Sequence, residues 1–235
     1  QVPILWPAIF KTGHEIAFAH TSFKWTNLAS HNAGVTVVII GISNHAGKLR
    51  RMFSVSENGS TEVKEVANIN AYLVPGQNIE VESSTKPLSD VAIMQFGNHP
   101  YYGAALIFST SEAEKMRRDA QASSRFIRPL YGSKEFITSS PRACLWITEN
   151  DIESAMSIPQ IASRIAEVAA TRRAAKQDKA AQKLAKTPYR FRDQISGKYH
   201  VLIVPRVSSE TRSYLPIGLL GTKSIIQDAA LALYD

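Results

Sequence analysis

The residues of this sequence best suited to recognition chemistry lie in a polar segment near its end. Residues 206–212 read Arg206-Val-Ser208-Ser209-Glu210-Thr-Arg212. Arginine hydrogen-bonds to guanine and a carboxylate accepts from the amino group of cytosine, so the segment has residue types that distinguish base pairs. The alternative is a turn in which these side chains bond to one another. The residues alone favour neither interpretation.

A second group of residues concentrates positive charge. The net charge is +7, and residues 160–192 hold nine basic side chains and two acidic ones, while the rest of the chain is balanced. Such a segment can neutralise the phosphates of a nucleic acid and release their counterions. It is equally typical of a solvated helix face. The residues that we expect to contact phosphates are Arg172, Arg173, Lys176, Lys179 and Lys183.

Other kinds of reactive site find little support in the sequence. The six histidines do not have the spacing of a metal site, so we expect no metal bound by this chain alone. The sequence has no Gly-x-Ser-x-Gly motif, and Cys144 lies in an apolar run, where a thiol is usually inert. Gly221-Thr-Lys-Ser224 resembles the end of a phosphate-binding loop but lacks its earlier glycine. Paired acids could form a nuclease centre around Glu62-Val-Lys64, yet no aspartate precedes Asp90.

Composition excludes further classes. Hydrophobic residues are 44% and charged residues 20%, as in ordinary globular proteins. The most continuous apolar run, residues 35–42, is far shorter than the roughly 18 residues of a membrane-spanning helix. A lone cysteine excludes a disulfide within the chain and fits the cytoplasm. The first residue is Gln1 rather than Met, and we expect the chain to be part of a longer polypeptide.

The elements that must position these residues begin with an α/β pattern. We expect a helix over residues 2–11 with Gly13 as its C-cap, and then a strand over residues 15–20. Residues 35–42 are continuously β-branched and predict a strand buried on both faces. Asn44 and Gly47 predict a hairpin that leads into a strand over residues 49–55. Together these predict the end of an α/β sheet.

The remainder predicts a mixed α+β region. A capping box, Ser111-Glu-Ala-Glu114, predicts a helix to about Ala122, and Ser157-Ile-Pro-Gln160 predicts the start of a long basic helix that Pro188 ends. We expect the second half of that helix to project from the body. Its apolar residues at helical spacing, Ile158, Ile161, Ile165 and Val168, predict a core face. Short strands are predicted over residues 63–66, 91–96, 104–108, 126–130, 144–147 and 201–204.

Many segments, taken in order, resemble one family. In the first part they are Gln1-Val-Pro-Ile-Leu-Trp6, Phe18-Ala-His20, Ser22-Phe-Lys-Trp25, the run from Gly34 to Gly41, Asn68-Ile-Asn-Ala-Tyr72, Lys86-Pro-Leu88 and Phe96-Gly-Asn98. Later come Ile127-Arg-Pro129, Gly132-Ser-Lys-Glu-Phe136, Arg142-Ala-Cys-Leu-Trp146, Pro205, Ser208-Ser-Glu210, Arg212 and Tyr214-Leu-Pro216. In this order they resemble type IIL (MmeI-like) restriction-modification enzymes, which join an endonuclease, an adenine-N6 DNA methyltransferase and a target recognition domain in one polypeptide.

The resemblance implies two parts. Residues 1–48 would be the end of a γ-type methyltransferase domain, and residues 49–235 a target recognition domain that binds double-stranded DNA. The loop for S-adenosylmethionine, the Asn-Pro-Pro-aromatic motif and the nuclease would lie upstream, in other domains of the same polypeptide. The chain alone would therefore lack the catalytic motif.

The resemblance also implies a wall for an extruded adenine, since a base taken out of the duplex needs a new stacking partner. The family commonly has an aromatic residue after the strand that here ends at Gly41, but this chain has Ile42. Phe23 and Trp25 are the candidates for this role, in a loop after a strand, with Lys24 as a phosphate contact. The alternative is ordinary packing of both rings.

The resemblance thus favours DNA sequence recognition for an adenine-N6 methyltransferase. Two other hypotheses remain at this point. One is a stand-alone basic nucleic-acid-binding protein without catalysis, and the other is an independent nuclease.

Overall fold

A computed structural model describes residues 2–25, 35–56, 58–209 and 212–235. The chain is mixed α+β, as predicted, and divides into two compact units, residues 1–85 and 86–235. Each unit has its own hydrophobic core.

The first unit is a helix followed by a mixed sheet. Helix α1 (Val2–Lys11) buries Trp6 and precedes Gly13, whose φ of +81° suits glycine. The strands are β1 (Glu15–Lys24), β2 (Thr36–Ser43), β3 (Arg50–Val55) and β4 (Thr61–Val66), in the spatial order β2-β1-β3-β4. Strand β1 is antiparallel to β2 and parallel to β3, and β3 and β4 are antiparallel. Ile16 and Ala19 of β1 are fully buried.

Two expectations for this sheet are wrong. The run of β-branched residues in β2 is not buried on both faces, since Val38, Ile39 and Ile42 are exposed, and β2 is an edge strand of the described sheet. The predicted hairpin between β2 and β3 does not form either, because β1 lies between these strands. Residues 43–48 therefore form a crossover connection from β2 to β3 instead of a hairpin turn.

The second unit contains two sheets. One has the order β10-β9-β12-β5 and the other the order β11-β7-β8-β6. Their strands are β5 (Gln95–Phe96), β6 (Ile107–Phe108), β7 (Ile127–Tyr131), β8 (Arg142–Leu145), β9 (His200–Pro205), β10 (Gly218–Gly221), β11 (Ile225–Ile226) and β12 (Ala230–Tyr234). The predicted strands at 91–96 and 104–108 are thus much shorter, and residues Ala104–Leu106 form a 3-10 turn.

Helices surround these sheets. They are α2 (Thr110–Asp119), α3 (Ser133–Ile137), α4 (Ile152–Met156), α5 (Pro159–Ala174) and α6 (Lys179–Leu184). The predicted core face of α5 is confirmed, since Ile158, Ile161, Ile165 and Val168 are all buried in a cluster with residues of β7 and β8.

The start of α2 lies two residues before the predicted one. Ser109 is the N-cap, and the reciprocal bonds of a capping box join it to Glu112 instead of joining Ser111 to Glu114. Both pairs have the required spacing, and sequence spacing alone does not choose between them.

The long basic helix is also different from the prediction. It ends at Ala174, and a separate helix, α6, starts after the N-cap Asp178, whose carboxylate accepts from the amides of Ala180 and Ala181. Helix α6 does not project, because Ala181 and Ala185 are buried. The side-chain amide of Gln182 donates to the carbonyls of Arg172, Arg173 and Ala175 and so joins α6 to the end of α5.

The burial of Cys144 predicts an unreactive thiol. Its side chain is fully buried in β8, and desolvation raises its pKa to about 12. A disulfide reagent should therefore label Cys144 only slowly in the native protein and fully after addition of denaturant, measured by release of the reagent's coloured thiolate. Rapid labelling without denaturant would contradict the packing around β8.

Candidate nucleic-acid interface

The basic segment of the second unit is organised around one buried arginine, Arg172. Its side chain has no measurable exposure. Nε donates to the carbonyl of Tyr101 at 3.1 Å, Nη1 to Leu184 and Thr187 at 3.1 Å, and Nη2 to Pro100 at 3.0 Å and Arg190 at 2.8 Å. A guanidinium has five N–H donors. Each of them has a carbonyl partner here.

This position contradicts the expectation that Arg172 contacts DNA. A phosphate would need a free donor and a path from solvent, and Arg172 has neither. Burial lowers its pKa to about 10, which still leaves the side chain charged at neutral pH. The charge stays because the surrounding carbonyl oxygens replace the lost hydration. Arg172 therefore joins α5 to two loops, residues 99–103 and 184–190.

The other four predicted phosphate contacts of this segment are on the surface. Arg173, Lys176, Lys179 and Lys183 are exposed. Two other cations of the same segment do form ion pairs, Arg164 with Glu112 at 3.0 Å and Arg192 with Asp193 at 2.9 Å. We call Arg173, Lys176, Lys179 and Lys183 the basic surface.

A tyrosine pair next to this surface was missed in the sequence. Tyr101 and Tyr102 have φ values of 45° and 59°, in the left-handed region that disfavours bulky residues. The Tyr101 hydroxyl donates to the Asp178 carboxylate at 2.8 Å. The pKa of Asp178 is lowered, first by the hydrogen bond from the Ala181 amide and then by the one from Tyr101. No local sequence signal indicates this conformation, because aromatic residues seldom adopt it.

The segment 206–212 leaves β9 and is exposed where it is described. Ser208, Ser209 and Arg212 are exposed, and the amide of Arg212 donates to the carbonyl of Ser209 at 3.1 Å. Glu210 lies outside the described residues. The side chain of Arg206 is over the ring of Phe96, with its Cζ 5.0 Å from the ring centre, and donates to the carbonyl of Asp228 at 3.2 Å. Arg206 is thus held in place at the base of the segment.

In the first unit, Phe23 and Lys24 are part of β1 and not of a loop after it. Phe23 pairs with Val37 and Lys24 with Thr36, and the amide of Trp25 donates to the carbonyl of Val35. The rings of Phe23 and Trp25 are 6.5 Å apart. Lys24 is exposed and Trp25 is 48% exposed. The two rings are thus neighbours at one end of the β1–β2 pair.

The described residues lack two other features. They contain no group of three or more histidine, cysteine, aspartate or glutamate side chains that could hold a metal ion. No helix in the described ranges is long and apolar enough to cross a membrane.

Comparison with known proteins identifies the family. The family model described as the target recognition domain of MmeI matches residues 75–235, and the model of the MmeI DNA-methyltransferase domain matches residues 1–54. The chain is 40% identical over its whole length to "DNA methyltransferase A" of Bacillus subtilis (strain 168) and spans 26% of that protein. A solved structure of the type IIL restriction-modification enzyme MmeI in complex with DNA has 30% identity and a TM-score of 0.79, and matches all of this chain and 31% of that one.

These matches show the class of protein to which this chain belongs: a target recognition domain that follows a DNA-methyltransferase segment. The chain belongs to the MmeI family, which confirms the resemblance found in the sequence. It spans about a quarter to a third of the length of these relatives.

Replacing the central arginine should destabilise this part of the protein. In Arg172→Met, five carbonyls lose their donor, and we expect the free energy of unfolding to fall by about 3 kcal/mol or more. Arg173→Ala, at the next position but exposed, should change it by about 0.5 kcal/mol or less. Chemical denaturation of both variants measures the difference, and equal stabilities would show that the Arg172 network is unimportant.

Proposed function

We propose that this chain recognises a specific sequence in double-stranded DNA for an adenine-N6 methyltransferase of the type IIL restriction-modification class. The observation that carries the proposal is the match of residues 75–235 to the MmeI target recognition domain. The exposed basic surface supports it, because clustered cations on a surface bind polyanions.

Within this proposal, the basic surface contacts the DNA backbone. Arg173, Lys176, Lys179 and Lys183 neutralise phosphates, which orients the protein without reading sequence. Arg172 has no part in this contact. Its role is to fix α5 and the following residues so that the four exposed cations keep their positions.

Base reading is assigned to the exposed segment after β9. Ser208, Ser209, Glu210 and Arg212 have suitable donors and acceptors, and the arginine suits guanine. The amide of Arg212 donates to the carbonyl of Ser209, and the Arg212 side chain is exposed. The alternative, a purely structural turn, is an outcome of the test below.

The methyl donor proposed for the full-length protein is S-adenosylmethionine. We do not assign its binding to this chain, because the 235 residues contain neither a dinucleotide-type glycine loop nor an Asn-Pro-Pro-aromatic tetrapeptide. The methyltransferase active site and the endonuclease are assigned to other domains of the same polypeptide. The cytoplasm, where the DNA of a bacterial cell lies, is the proposed location.

Phe23 and Trp25 are proposed to stack on the extruded adenine, with Lys24 on a nearby phosphate. Their support is the exposure of Trp25 and Lys24 and the closeness of the two rings at the end of β1. A base that has left the duplex needs an apolar or aromatic surface to replace its stacking.

Methylation-sensitive sequencing tests the function directly. Cells that express the full-length protein should carry one modified adenine motif that is absent from cells with a catalytically inactive form. DNA without any such motif, in cells where the protein is soluble and present, would favour the stand-alone binding protein instead.

A pair of variants separates backbone contacts from base reading. Lys183→Ala should weaken binding to cognate and unrelated duplexes alike and lower the slope of log affinity against log salt by about one unit. Arg212→Ala should relax one position of the methylated motif, at about 1–3 kcal/mol of lost discrimination. Fluorescence anisotropy over a range of salt measures the first, and motif sequencing the second. An unchanged motif in Arg212→Ala would leave the segment with a structural role only.

A further inference from the structure

The strained tyrosine pair next to the basic surface has no role in the function described so far. A left-handed conformation costs a bulky residue about 1–2 kcal/mol, and here two consecutive tyrosines adopt it. Such strain persists only when the surroundings enforce it, and it is concentrated at sites that bind ligands. What enforces it, and which side chain it presents, are both visible in the structure.

The backbone of this loop is held from the inside by Arg172. The carbonyls of Pro100 and Tyr101, on either side of the first strained residue, both accept from its guanidinium. Gly103 closes the loop so tightly that a Cβ there would lie 2.5 Å from the Pro100 carbonyl oxygen. The loop is therefore held by Arg172 of α5 and by the close approach of Gly103 to Pro100. These contacts keep the two tyrosines in the left-handed backbone conformation.

The side chain of Tyr101 is used within the loop. Its hydroxyl bonds to Asp178 and its ring lies under the guanidinium of Arg192, 5.3 Å from Cζ. These contacts give Tyr101 a structural role. They also connect the loop to the residue that caps α6.

Tyr102 is different, because its ring is presented to solvent. It is 46% exposed, and it lines a shallow hollow whose other side is formed by Lys176, Lys179 and the residues between them. Its ring packs edge-to-face against the ring of Tyr101, with 5.4 Å between the two ring centres. An aromatic ring is thus placed beside two exposed cations.

We propose that Tyr102 is a DNA contact residue: its ring covers a deoxyribose of the duplex while Lys176 and Lys179 neutralise the flanking phosphates. This inference rests on the proposed function, to which it adds a binding residue that carries no charge. The chemistry fits a nucleic acid, since flat rings interleaved with cations match alternating sugars and phosphates. An acidic protein could form ion pairs with Lys176 and Lys179, but it would have no need of the aromatic ring beside them.

The experiment measures DNA affinity of the full-length protein and its dependence on salt. Tyr102→Ala should weaken binding about tenfold, within the range of aromatic contacts to nucleic acids, and leave the salt slope unchanged because no charge is lost. Lys176→Ala should lower the slope by about one unit. Tyr102→Phe, which keeps the ring, should stay within about threefold of the unmodified protein.

Two further variants guard against a loss of folding or a general effect. Tyr102→Gly suits the left-handed backbone, so it should fold and show the same loss of affinity as Tyr102→Ala. Tyr199→Ala removes another exposed tyrosine that lies beside a lysine, with Lys198 Nζ 5.0 Å from its ring, and should leave affinity unchanged. Thermal melting accompanies every variant.

The proposal is overturned if Tyr102→Gly binds DNA as tightly as the unmodified protein, or if Tyr199→Ala loses as much affinity as Tyr102→Ala. A lower salt slope in Tyr102→Ala would also overturn it, since the loss would then come from displaced lysines. Failure of the unmodified protein to bind any DNA is a distinct result, because it would remove the proposed function itself.

Discussion

The second unit depends on a single guanidinium with every donor satisfied. Arg172 brings together carbonyls from a loop near residue 100 and from the chain between Leu184 and Arg190, which are distant in sequence. Carbonyls that are buried without partners are costly, so these segments come together only where the arginine meets them. The Arg172 bonds thereby hold the end of α5 against these two segments.

The sequence predicted more of the local structure than of its arrangement. Helix α1, the core face of α5 and strand β9 follow from apolar spacing and were predicted correctly. The break between α5 and α6 was not, because Ala-rich helical residues continue across it and only Asp178, as an N-cap, indicates a new start. The pairing of β1 between β2 and β3 depends on contacts between distant residues, which local turn signals do not encode.

For the candidate site, too, the sequence predicted local properties better than the arrangement of the residues. The exposed positions of Arg173, Lys176, Lys179 and Lys183 agree with a charged surface that composition indicated, while the burial of Arg172 does not. Arginines at neighbouring positions of one helix look alike in a sequence, yet they face different directions, since adjacent residues are about 100° apart around the axis. The left-handed conformation of Tyr102 was not predicted, because it depends on contacts between its loop and the distant Arg172.

Strand β9 has partners on both sides, β10 and β12, and residues 206–209 that follow it are exposed. The scaffold is therefore fixed by strands and core residues that lie apart from residues 207–209. Substitutions of these exposed side chains cost little folding energy, as is usual for surface loops. Related proteins can consequently differ at exposed positions outside the shared segments, such as Val207, while the architecture beneath them stays constant.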